Sequence, residues 1–147
     1  MRTVVLGDTH GRTFWKMILE HENPDRVIFI GDYFDSYEFS AIEQLHNFKE
    51  IMEIRGDVIR LIGNHDLSYF PGVVSTCSGY QPEFAGDFTY EINRNKDKLQ
   101  VAYRMDDFIF SHAGITKTFL YDNRVPEDEF MVDNLNSLFK MRQPIHF

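Results

Sequence analysis

The sequence predicts an α/β fold built on a parallel sheet, and three observations predict it. Short runs rich in β-branched and aromatic residues lie at 3–6, 26–30 and 58–62. Longer stretches with apolar residues three and four apart, at 13–21 and 40–55, separate them. The resulting order, β-α-β-α-β, implies right-handed crossovers between parallel strands. A chain of 147 residues suits one domain, taken as 1–147.

Each element has a local reason. Thr3-Val4-Val5-Leu6 is short and apolar, as a buried strand requires. The first helical pattern carries Phe14, Met17 and Ile18 and stops before Asn23-Pro24, because proline cannot continue a helix. Arg26-Val27-Ile28-Phe29-Ile30 is the second strand. The second helix carries Ile42, Leu45, Phe48, Ile51, Met52 and Ile54; Ser40 with Glu43 three residues on reads as a capping box, and Gly56 as the helix end. Val58-Ile59-Arg60-Leu61-Ile62 is the third strand. Residues 67–88 read as a long loop in which Pro71 and Pro82 limit any helix. Segments 99–104 and 108–111 flank Met105-Asp106-Asp107 as a hairpin, and 127–140 returns to helical spacing through Phe130, Leu135, Leu138 and Phe139, ending before Pro144.

Composition narrows the function. The net charge is −8, with 15 basic against 23 acidic residues and no basic cluster, which argues against a nucleic-acid partner. Cys77 is the single cysteine, so neither an internal disulfide nor a cysteine-rich zinc site can form. No apolar stretch approaches the roughly 20 residues of a membrane span, and 3–6 is too short for a signal peptide, so the expected location is cytoplasmic, with no membrane partner.

The strand ends share a grammar. Leu6-Gly7-Asp8, Ile30-Gly31-Asp32 and Ile62-Gly63-Asn64 each run apolar, glycine, oxygen ligand; Phe110-Ser111-His112 runs apolar, small, imidazole. Open α/β sheets bind ligands at the carboxyl ends of their strands, so four strands aim donors at one rim, and glycine lets the backbone turn sharply there. Taken singly, each motif has a plainer reading: Gly-Asp and Gly-Asn are turn signals, and a lone histidine is usually a surface residue. Their joint occurrence favours a metal site, because three of the six histidines and the key acids fall together at strand ends. A mixed oxygen and nitrogen donor set favours Mn²⁺, Fe or Zn²⁺ over Ca²⁺. Two such ions about 3.5–4 Å apart activate a water and clamp a phosphoryl oxygen.

These residues resemble a known family. Gly7-Asp8-Thr9-His10-Gly11, Gly31-Asp32-Tyr33-Phe34-Asp35, Gly63-Asn64-His65-Asp66 and Ser111-His112-Ala113-Gly114 look like the successive signatures of calcineurin-like metallophosphoesterases, in matching order and spacing over residues 3 to about 115. The resemblance implies a β-sandwich flanked by helices. It implies that Asp8 and His10 bind one of two divalent ions, manganese before iron or zinc, that Asp32 bridges, and that Asn64 and His112 bind the second. His65 would contact substrate phosphate or protonate the leaving group, with Asp35 orienting it. The implied reaction is in-line attack of a metal-bound hydroxide on a phosphate ester of a small molecule, nucleotide or phosphoprotein.

Two departures temper the resemblance. Gly-Asp-Tyr-Phe-Asp and Ser-His-Ala-Gly lean toward the branch of Ser/Thr protein phosphatases and symmetrical dinucleoside tetraphosphatases, yet Ser36 stands where that branch usually has arginine, and Arg12 is a weak substitute. The family also has a further ligand histidine downstream, often in Gly-His-x-His; His146 does not resemble it, so the fold is expected to be short at its C-terminal side. The alternative reading is a non-catalytic metal-binding or partner-binding member with an incomplete second site. Tyr33, Tyr69 and Tyr80 are candidates to stack on a base, against the commoner role of packing.

Overall fold

A computed structural model describes residues 1–70 and 75–141. Its centre is a four-stranded parallel sheet in the order β1 (Thr3–Leu6), β2 (Arg26–Phe29), β3 (Asp57–Leu61) and β4 (Leu99–Gln100). Thr3 pairs with Arg26, Arg26 with Asp57 and Arg60 with Leu99, so the carboxyl ends of the strands form one rim. The mixed α/β class and the parallel sheet agree with the sequence.

Helices α1 (Phe14–Glu22) and α2 (Ala41–Glu53) are the two crossovers. α1 stops at Asn23, whose left-handed φ of 41° lets its N–H reach the Leu19 carbonyl, with Pro24 next. α2 begins in the expected capping box: Glu43 Oε2 accepts from the Ser40 N–H at 2.8 Å, and Ser40 Oγ accepts from the Glu43 N–H at 3.3 Å. Its other end is held by Arg60, a buried cation that donates to the carbonyls of Ile51 (2.9 Å) and Ile54 (2.7 Å). The Ile51 carbonyl otherwise accepts only a long 3.4 Å bond from the Ile54 N–H, and the partial negative charge of carbonyls at a helix C-terminus favours a cation.

One face of the sheet supplies the core. Val4, Leu6, Val27, Phe29 and Ile62 pack against Trp15, Phe48, Ile51, Met52, Phe88 and Ile92. Phe34 sits at its aromatic centre, 4.4 Å from Phe88 and 4.9 Å from Phe48 between ring centroids. On the other face Arg26 lies over the Tyr103 ring, 5.6 Å from its centroid.

Several expectations need correction. The segment 67–88 is not one long loop: Leu67 closes a short helix α3 (Asn64–Leu67), and a 3₁₀ turn (Pro82–Phe84) leads into α4 (Ala85–Arg94). Pro82 starts this helical stretch rather than breaking it, since the first turn needs no proline N–H; Phe88 and Ile92, four apart, bury one face. The run 99–104 splits, because Asn136 accepts the Val101 and Ala102 N–H groups at 2.9 and 3.2 Å and turns the chain out of the sheet. After that turn β5 (Ala102–Met105) pairs antiparallel with β6 (Phe108–Ser111) as the predicted hairpin, so the fourth ligand-bearing run is in a separate two-stranded sheet. A short helix α5 (Lys117–Asp122) was not foreseen, and the last helix, α6, is Met131–Lys140. Pro71, Pro144 and His146 lie outside the described residues. Among the described residues no helix is long and apolar enough to cross a membrane.

Candidate metal centre

Asp32 is the floor of the site. It follows Gly31 at the end of β2, and the next two side chains, Tyr33 and Phe34, are fully buried anchors. With those two rings locked in the core, Asp32 and Asp35 on either side stay at the rim. Asp32 itself is 4% exposed. Asp8, His10, Asp32 and Asp35 all hold left-handed backbone, with φ of 41°, 43°, 58° and 64°. Asp and His tolerate this region better than most residues, and such strain concentrates at functional sites.

Three loops are tied around Asp32. The His10 N–H donates to the Asp32 carbonyl (2.9 Å) and the Gly11 N–H to the Tyr33 carbonyl (3.1 Å), fixing the β1 end to the β2 end. The β3 end is fixed by Asp66, a residue the sequence reading left without a role. Its fully buried carboxylate accepts the N–H groups of Asp32 (2.8 Å), Tyr33 (2.8 Å) and Gly63 (2.9 Å). Burial pushes this carboxyl up to about 8, the charge of Asp32 adds to the rise, and the three N–H donors oppose it. An acid three residues after the turn glycine Gly63 is the sequence signal that marks it.

The histidines present lone pairs. His10 Nδ1 bonds the Phe34 carbonyl, and His112 Nδ1 the Ile30 carbonyl at 2.8 Å. A carbonyl only accepts, so in both rings Nδ1 carries the proton and a neutral ring offers Nε2 as a lone pair. His112 Nε2 lies 2.9 Å from Asn64 Oδ1 and 3.3 Å from Asp32 Oδ2, and His10 Nε2 lies 3.8 Å from the same Asp32 oxygen. Acceptors aimed at one another repel unless a proton or a cation lies between them, and this set of imidazole, amide and carboxylate donors fits a divalent cation. Among the described residues two groups could hold an ion: His10, Asp32 and His65, and Asp8, Asp32 and His112, each with ligand atoms within 4.8 Å of one another. Asp32 belongs to both. Asp8 and Asn64 are the solvent-facing members.

Beside this set, His65 Nδ1 bonds Asp35 Oδ2 at 2.9 Å. The His65 N–H also donates to Asp32 Oδ1 at 3.0 Å. Burial raises the Asp35 carboxyl above the ordinary range, while its bonds with Tyr69 and His65 lower it. Tyr33 and Tyr69 are buried and Tyr80 stacks on Tyr69, so packing occupies all three candidate base-stacking rings. Arg12 is paired with Glu38 at 3.1 Å. An apolar pocket walled by Ile62, Leu67, Val101, Ile115 and Phe119 opens beside Asn64 and His112.

The fold and the donor set define an α/β protein whose rim gathers groups that could hold a cation. The chain belongs to the calcineurin-like phosphoesterase family, whose profile matches residues 1–146. A probable serine/threonine-protein phosphatase of Encephalitozoon cuniculi (strain GB-M1) is 27% identical over 145 residues, covering 94% of this chain and 30% of that protein. The chain thus spans about a third of that relative's length. No solved structure gives a significant match.

Proposed function

We propose that the protein is a metal-dependent phosphoesterase that hydrolyses a phosphate ester at two divalent cations with Asp32 between them. The observation that carries this reading is the position of Asp32 Oδ2 between the Nε2 atoms of His10 and His112, both rings being held by carbonyls at Nδ1. With Asp32 shared, Asp8 and His10 would hold one ion and Asn64 and His112 the other; as the side chains lie, His10 also comes near His65 and Asp8 near His112. Manganese suits the mixed donors best, with iron or zinc next. Cations held there supply charge neutralisation at phosphoryl oxygens and acidify a water.

The chain's own groups do the rest. His65, anchored at Nδ1 by Asp35, keeps Nε2 free to bond a phosphoryl oxygen or to give a proton to the departing oxygen. Asp66 holds Asp32 and Gly63 at fixed separation, as positioned catalysis needs. The substrate class is a phosphorylated small molecule, nucleotide or phosphoprotein, and the likeness to the probable serine/threonine-protein phosphatase of Encephalitozoon cuniculi supports a phosphatase. The test is hydrolysis of an aryl phosphate with and without Mn²⁺, on wild type and Asp32→Asn. Mn²⁺-stimulated turnover lost in the variant supports the reading. One ion or fewer per chain and no turnover with any divalent metal would make the protein a metal-binding scaffold instead.

A further inference from the structure

We infer that Tyr69 is a positioning residue for His65, acting through the Asp35 carboxylate; its catalytic consequence rests on the phosphoesterase reading, its structural one does not. Asp35 has two oxygens and a different partner on each. Oδ2 meets His65 Nδ1 at 2.9 Å, and Oδ1 accepts the Tyr69 hydroxyl. The Asp35 side chain is sealed from solvent, so no water can replace either partner.

The Tyr69 hydroxyl has one proton, and its direction is forced. The oxygen already accepts the Gln81 N–H at 3.1 Å, which occupies a lone pair and leaves the proton for Asp35. The ring cannot swing away. It is 2% exposed, stacked on Tyr80 at 4.9 Å between centroids, and edge-on to Phe88 at 4.7 Å and Phe34 at 5.8 Å. Its carbonyl accepts from Thr89 Oγ1 at 2.7 Å, which ties it to α4. The carboxylate is therefore gripped at both oxygens, and its grip on Nδ1 holds the His65 ring edge-on to His10, 5.1 Å away, with Nε2 toward the rim. Burial, and then the bond to Asp35, raises the Tyr69 hydroxyl above its ordinary value, which keeps the proton on tyrosine.

Tyr69→Phe removes one oxygen and keeps the ring. With ¹⁵N-histidine labelling, the His65 Nδ1 proton should be sharp and slow to exchange in wild type, in chelator-treated and zinc-loaded protein alike, and broadened or lost in the variant. If turnover is present, kcat should fall roughly tenfold for phenyl phosphate, a poor leaving group, and within about twofold for p-nitrophenyl phosphate, with KM unchanged. Tyr80→Phe, which removes a hydroxyl from the same stack without touching Asp35, should change neither. An intact His65 signal in Tyr69→Phe overturns the proposal, even if stability falls. Loss of the signal in a protein that never turns over overturns the phosphoesterase reading and leaves the positioning role standing. Should Tyr69→Phe fail to fold, 3-fluorotyrosine at 69 keeps every contact while strengthening the donor; a shifted His65 Nδ1 resonance supports the proposal and an unmoved one overturns it.

Discussion

Replacing Gly31 with alanine tests how closely the β2 and β3 ends must cross to build the site. Gly31 has φ +101°, a region that L side chains rarely adopt. A methyl there would lie 2.7 Å from Gly63 Cα and 2.7 Å from the Ile62 carbonyl carbon, and nearer still to Gly63 N. All three are backbone atoms, so no side chain can swing aside. Reaching ordinary contact at 3.4 Å needs a separation of at least about 0.7 Å from the two carbons, and more from Gly63 N, between the two strand ends. The φ strain costs about 1–2 kcal/mol and the overpacking about 1–3 kcal/mol, together about 2–5 kcal/mol out of a typical 5–15. The same displacement moves Asp32 away from Asn64 and His65, beyond the ~0.5 Å tolerance of a preorganised site. Urea unfolding in chelator reads the stability, and calorimetric titration with Mn²⁺ reads the site, where affinity should fall tenfold or more. Gly86→Ala, whose methyl meets nothing within 4 Å inside α4, is the control and should stabilise by up to about 1 kcal/mol. A Gly31→Ala protein within about 0.5 kcal/mol of wild type that binds Mn²⁺ unchanged would refute the close-crossing argument.

Other outcomes follow from single contacts. Asp66→Asn puts an NH₂ against one of three backbone donors and leaves a buried N–H without an acceptor; unfolding should show a loss of about 1–3 kcal/mol with weaker metal binding. Ser40→Ala breaks the α2 capping box and should cost about 1 kcal/mol by urea unfolding. Hydrogen bonds from the Ser40 side chain and then its backbone hold Glu43 below the ordinary glutamate value. Its contribution is therefore present above that ordinary value and is lost as pH falls through the lowered one. An NMR titration of Glu43 should find the low midpoint in wild type and one shifted back toward the ordinary value in Ser40→Ala, where only the backbone N–H of residue 40 is left to lower it.

The first half of the fold was legible because its signals are local. Ser40 and Glu43 announce their capping box three residues apart, and Pro24 announces the end of α1. The second half was less so because its decisive partners are distant in sequence. Asn136 pulls Val101 and Ala102 out of the parallel sheet from 34 to 35 residues away, and no local pattern contains that bond. Pro82 was read as a breaker because proline ends helices as well as beginning them. Within the site, the strand-end spacing pointed to residues that the fold gathers at one rim. What holds them was not: Asp66 reaches Asp32 across 34 residues, Tyr69 reaches Asp35 across 34, and His112 arrives on a hairpin rather than on the sheet.

Paramagnetic resonance of the protein loaded with Mn²⁺ bears on Asp32 most directly. If Asp32 lies between two ions about 3.5–4 Å apart, two equivalents of Mn²⁺ should give a spin-coupled binuclear spectrum that Asp32→Asn converts to isolated ions. A spectrum of uncoupled Mn²⁺ in the wild-type protein, at any loading, would contradict the shared-carboxylate site.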